Sequence, residues 1–83
     1  MLSAVSGKAF MKIKIKIEAL KTIRILSGSS QLEIAKKAGI SSGFYSQIEN
    51  DIRSPSPQVA KKLCQIYKVR FDDIFFIEKT KAS

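Results

Sequence analysis

Between Ser30 and Asn50 the chain reads SQLEIAKKAGISSGFYSQIEN, two short helical patterns that meet at a single glycine. Ser30 suits a helix N-cap, and Glu33 three residues on completes a capping box. Leu32 to Ala38 continues with helical spacing until Gly39, which takes the positive φ that a tight helix end needs. Ser41 then caps a second helix running to about Glu49. Ile34, Ala38, Ile40, Tyr45 and Ile48 are the positions that face inward, and small Ala35 lets the two helices approach closely. An ordinary helical hairpin is the plain alternative to any more specialised reading of this stretch.

The flanking segments carry helical patterns of their own. From about Glu18, Leu20, Ile23 and the neighbourhood of Leu26 form one helical face, stopped by Ser27-Gly28-Ser29-Ser30. Asn50 to Pro57 is a turn-rich connector holding both prolines, and Pro57 fits the first position of another helix. Val59, Leu63, Ile66 and Tyr67 give that helix its apolar face. A last helical turn is expected around Asp72 to Phe75.

The ends look different. Met11 to Ile17 alternates strictly, with Met11, Ile13, Ile15 and Ile17 on one side and Lys12, Lys14 and Lys16 on the other. This favours a half-buried strand, with a helical start as the competing reading. Its expected partner is Phe75 to Lys79. The fold predicted is therefore all-α, a bundle of about five helices, with a short two-stranded ribbon joining the ends. One domain over residues 11–79 is expected, between a mobile tail at 1–10 and a second tail at 80–83.

Composition narrows the function classes. Fifteen Lys and Arg against seven Asp and Glu give a formal charge of +8 on 83 residues. That surplus suggests a polyanionic partner, nucleic acid first and an acidic membrane surface second. The competing reading is a basic protein with no such partner. Cys64 is the single cysteine, which excludes an internal disulfide or a thiolate metal cluster. There is no histidine, so the commonest general base and metal ligand is missing. No phosphate-binding loop appears either, and the chain is read as a non-enzyme without metal or cofactor. Apolar runs are far too short to span a membrane or form a secretory signal, so a cytoplasmic location is expected.

The residues now assembled resemble the DNA-binding domain of the phage Cro and repressor family, from Leu20 through Phe76. The matching pieces are Leu20 to Arg24, Ser30-Gln31, Ile34-Ala35, Gly39-Ile40-Ser41, Ser46 to Asn50, Pro55-Ser56, Val69 and Phe71 to Phe75. The resemblance implies a bundle of about five helices that binds operator DNA, usually as a dimer. It also implies that Gln31 anchors the DNA backbone, at a helix N-terminus where free N–H groups favour a phosphate. Ser42, Gly43 and Gln47 match base-contacting positions, and the Gln47 amide can pair bidentately with adenine. Gly43 brings no side chain to that task. Phe44 either packs on a thymine methyl or sugar or covers the neighbouring helix as a partly buried ring. Ser41, Ser46, Asn50 and Arg53 are further phosphate candidates, the serines serving equally well as caps. Arg24 and Glu49 match a buried ion pair and, with Gly39, are read as structural. Ser29, Ile25 and Leu26 depart from the family pattern.

The expected function is that of a sequence-specific, double-stranded-DNA-binding regulator, a repressor that occupies its site with the helix at about 42–49 in the major groove. One such helix reads only a few base pairs, so a homodimer is expected, with its contact around Val69 to Ile77. The alternative is an antitoxin-type interaction protein that binds a protein partner and its own promoter. A controller protein of a restriction–modification system is similar in size. The Lys12, Lys14 and Lys16 edge is expected to be a solvated face.

Overall fold

Short helices need help at their ends, and three of the helix starts in this chain receive it from serine. A computed structural model describes residues 9–81 and gives the order β1 (Ala9–Ile15), α1 (Ile17–Leu26), α2 (Gln31–Ala38), α3 (Ser42–Glu49), α4 (Pro57–Tyr67), α5 (Phe71–Ile74) and β2 (Phe75–Lys81). Ser30 Oγ accepts from the Glu33 N–H at 3.1 Å, while the Ser30 N–H donates to Glu33 Oε1 at 2.8 Å. Ser41 Oγ accepts from the Phe44 N–H, and Ser56 Oγ from the Val59 N–H ahead of Pro57. Each such cap is worth about 1 kcal/mol.

The α2 end is set by Gly39, whose φ of 73° lies in the left-handed region. The Ile40 N–H donates to the Ala35 carbonyl at 3.0 Å and the Gly39 N–H to Lys36 at 3.2 Å, closing the helix before α3 turns away. The end of α4 repeats this pattern with Lys68, a side-chain-bearing residue at φ 57°.

The core lies where all five helices converge on the base of the ribbon. Leu20, Tyr45, Ile48, Leu63, Ile74 and Phe75 are wholly buried, together with Ile34 and Ala35. Ile40, Val59, Ile66 and Tyr67 pack half-buried around them. Leu26 does not join this face. It is 80% exposed, because Leu20 and Ile23 already fill the inner side of α1 and the helix ends there.

The strands pair antiparallel, with Ile15 opposite Phe75, Ile13 opposite Ile77, Met11 opposite Lys79 and Ala9 opposite Lys81. Pairing therefore covers Ala9, Phe10, Thr80 and Lys81, all placed in tails by the sequence reading. Residues 1–8, the rest of the expected mobile tail, lie outside the described residues, as do 82–83. The strand also stops short of Ile17. Lys16 donates its N–H to the Ile74 carbonyl at 2.9 Å, and its own carbonyl accepts from Leu20, so the chain turns into α1 at that point.

Burial fades along the ribbon. Ile15 and Phe75 are enclosed at its base, Ile13 is half-buried, and Met11 is 66% exposed near its tip. Met11, Ile13 and Ile77 line one wall of an apolar groove of about 480 Å³ against Pro57, Cys64 and Phe71. On the other face Lys14 is not simply solvated, since its ammonium lies 3.1 Å from Asp51 after α3. No helix among the described residues is long and apolar enough to cross a membrane.

Adjacent phenylalanines at the α5–β2 junction test this burial gradient. Phe75→Ala should lose about 3–5 kcal/mol of unfolding free energy in urea. Phe76→Ala, at a site 41% exposed, should lose less than about 1 kcal/mol.

Candidate nucleic-acid interface

Helix α3 divides its residues sharply. Tyr45, Ile48 and Glu49 are buried, whereas Ser42, Gly43, Gln47 and the C-cap Asn50 are exposed. The outward side is therefore a short strip of small polar groups, with no charge of its own, on a helix small enough to enter a major groove. Gly43 lies in open space: a Cβ there would meet nothing within 4 Å. The strip is narrow and flat.

What holds α3 in place is the carboxylate at its end. Glu49 is fully buried, yet each of its oxygens has two donors. Arg24 of α1 reaches it in a two-pronged contact, Nε to Oε2 at 2.8 Å and Nη2 to Oε1 at 3.0 Å. Tyr45 donates its hydroxyl to Oε2 at 2.8 Å, and Gln31, at the start of α2, donates Nε2 to Oε1 at 3.1 Å. The remaining Arg24 nitrogen, Nη1, donates to the Ser29 carbonyl at 3.2 Å. Behind Tyr45, the Tyr67 hydroxyl at the end of α4 sits 2.7 Å from the Tyr45 hydroxyl.

The electrostatics follow from this geometry. Burial alone pushes the Glu49 carboxyl up, but the hydrogen bonds from Arg24, Tyr45 and Gln31, with the Arg24 charge, outweigh it and hold the group below the usual carboxylate range. Hydrogen bonding to Glu49 raises Arg24 further, and burial raises both tyrosines. The site carries a paired, permanently ionised core at neutral pH.

The other expected contacts divide between scaffold and surface. Ser41 is exposed but its Oγ is engaged as the α3 cap. Ser46 is half-buried, and its carbonyl accepts Asn50 Nδ2 at 2.9 Å. Phe44 takes the partly buried arrangement, packed against the core with the Arg53 guanidinium 5.5 Å above its ring centroid. Arg53 is thereby held on the same side as α3, a cation–π placement that costs it no exposure.

One member of this cluster, Tyr67, and one of its bonds, Gln31 to Glu49, had no signal in the sequence. Tyr67 reads there only as part of an apolar helix face, and nothing in a 22-residue separation from Tyr45 announces their hydrogen bond. The Gln31–Glu49 bond is equally invisible to local spacing. Among the described residues no group of three His, Cys, Asp or Glu could hold a metal ion. Cys64 is half-buried, and burial followed by Asp73 raises its thiol, which keeps it protonated.

A family model described as helix-turn-helix matches residues 20–74, from the first buried leucine of α1 to the last residue of α5. The chain is a member of this helix-turn-helix family. It is 42% identical over 59 residues to YqaF of Bacillus subtilis (strain 168), named as an uncharacterized HTH-type transcriptional regulator, covering 71% of this chain and 75% of that protein. It is 36% identical over 59 residues to MJ0272 of Methanocaldococcus jannaschii, which carries the same kind of name, covering 71% of this chain and 89% of that one. No solved structure gives a significant match. Family membership places the chain among DNA-binding regulators and not among enzymes.

The buried carboxylate makes stability depend on acid in a defined direction. Because Glu49 is held below its usual value of 4.5, its contribution is complete above that pH and is lost as pH falls through the folded-state value. Exposed Glu33, lowered mainly by the Ser30 N–H bond, acts in the same direction. Urea unfolding should therefore show Glu49→Gln well below wild type near neutral pH, with the gap closing as pH falls below the usual carboxylate range. A gap that widens in acid would contradict the ionised, paired carboxylate.

Proposed function

We propose that this helix-turn-helix protein is a cytoplasmic repressor that occupies specific double-stranded DNA sites with α3 in the major groove. The observation that carries the reading is the division of α3, whose buried side is locked through Glu49 while Ser42 and Gln47 stand exposed together on the other. Gln47 reads a base edge, with Ser42 adding a less selective hydrogen bond and Gly43 permitting close approach. Gln31, at the N-terminus of α2, takes a backbone phosphate, and Asn50 and Arg53 supply further phosphate contacts beside α3. Ser41 and Ser46 contribute mainly by shaping the helix that presents them. The charge of +8 adds attraction that does not depend on base sequence.

The reading includes a homodimer, since a strip this short specifies only half a site. Exposed Met11 and Ile77, on one face of the ribbon, give the expected C-terminal contact an apolar surface, and Phe76 is exposed on the other face. The groove lined by Met11, Ile13, Ile77 and Phe71 supports the second reading, an antitoxin-type protein whose ribbon engages a protein partner while α3 binds the promoter. Co-purification with a stoichiometric partner would favour that version over a free repressor.

Selection from a pool of random duplexes, followed by sequencing, should enrich one motif. Gln47→Ala should then change the preference at one base position in each half-site, whereas Gln31→Ala should weaken all sequences alike. Identical behaviour of the two variants would overturn this division of roles. Light scattering at high micromolar concentration, with and without the enriched duplex, should report two chains; a monomer under both conditions would overturn the dimer.

A further inference from the structure

The four bonds into Glu49 leave no freedom in the direction of their hydrogens. The Tyr45 hydroxyl has one proton, and that proton is given to Glu49 Oε2 at 2.8 Å. Tyr67, 2.7 Å from the same oxygen of Tyr45, must therefore be the donor in that pair. The chain of donors runs from Tyr67 through Tyr45 to Glu49. Gln31 meets the carboxylate from the other side, with Nε2 3.1 Å from Oε1.

A glutamine amide can sit either way round, and its two faces differ fundamentally towards an anion. With Nε2 held on Glu49, the second N–H of that nitrogen stays free to donate. Turned over, the amide would set its own oxygen against the carboxylate, two acceptors facing each other, and lose the bond that fixes it. The carboxylate thus fixes the amide, with a single N–H left at a set direction for a phosphate, and the carboxylate is in turn held by Arg24 and Tyr45.

The geometry points to Tyr67 as a positioning residue for the DNA-backbone contact of Gln31, acting through the Tyr45 hydroxyl and the Glu49 carboxylate. This rests on the DNA-binding reading above. It connects the last turn of α4, on the far side of Tyr45, to the amide at the start of α2. Tyr67 touches no DNA in this scheme. Its hydroxyl polarises the Tyr45 hydroxyl, which fixes the carboxylate plane against which the Gln31 amide is set.

The test needs no operator, because a phosphate contact is independent of base sequence. The probe is a fluorescein-labelled duplex of mixed sequence at low salt, titrated with wild type, Tyr67→Phe, Gln31→Ala and the double variant. Tyr67→Phe keeps the ring and removes only the hydroxyl, so packing against the core is retained. Gln31→Ala should weaken binding about 3- to 10-fold, the range of one lost hydrogen bond. Tyr67→Phe should weaken it about 2- to 4-fold in the wild-type background and not at all when Gln31 is already alanine. Side-chain amide resonances give a second readout without DNA: Tyr67→Phe should shift the Gln31 Nε2 protons and speed their exchange.

Equal losses from Tyr67→Phe in both backgrounds would overturn this inference while leaving DNA binding intact. So would Gln31 amide resonances that ignore the substitution. A wild-type chain that fails to bind the duplex would overturn the DNA-binding reading and this inference together.

Discussion

A single buried carboxylate organises this domain. Glu49 ends α3 with no exposure to water, a position in which an unpaired charge would cost several kcal/mol. Its partners are drawn from α1, α2 and α3, and Tyr67 of α4 joins through Tyr45. Helices this short have little stability of their own, and apolar packing between them tolerates sliding and rotation. A carboxylate with both oxygens doubly occupied does not. The pair adds little net stability beyond what well-packed apolar residues would supply, and its effect is to define one relative arrangement of the helices. The exposed strip of α3 inherits its orientation from that arrangement.

Much of the architecture was legible in the chain. The serine caps at Ser30, Ser41 and Ser56 and the left-handed turn at Gly39 are local events, set by residues within one helical turn of each other, so a linear reading finds them. The inward set Ile34, Ala38, Tyr45 and Ile48 was legible because helical periodicity records which face is dry. Periodicity does not record what the face meets. Leu26 falls at the right interval and is nonetheless exposed, because the inner side of α1 is filled by Leu20 and Ile23 before the helix ends. The strand boundaries were blurred for a related reason: Ile17 satisfies both the alternation of β1 and the spacing of α1, and the Lys16 bond to Ile74 decides between them only in three dimensions.

At the candidate site, residue type suggested partners that geometry then redistributed. Arg24 and Glu49 could be paired by resemblance, but the hydroxyls of Tyr45 and Tyr67 and the Gln31 amide joined that pair without any local cue. Phe44 was open between two readings, and the core contact with Arg53 above its ring is the covered one. With Phe44 partly withdrawn and Gly43 bare, the exposed strip offers few side chains for discrimination. Under the proposed major-groove reading, sequence-dependent shape and deformability of the duplex would carry a larger share of the selectivity than on a longer, bulkier helix face.

The ribbon joins the two most distant parts of the described chain, Ala9 and Lys81 at one end and Ile15 and Phe75 at the other. The contacts of α2 with α3 and α4 lie between segments much closer in sequence, so they can form while the chain is still largely open, whereas α1 against α5 spans nearly as much chain as the ribbon. Strand pairing has to close a loop around nearly the whole bundle, and Met11 near its tip stays largely exposed. Loop-closure entropy therefore places it late in folding. By the same logic its amide protons exchange from the tip inward, fraying from Ala9 and Lys81 towards the enclosed pair at its base.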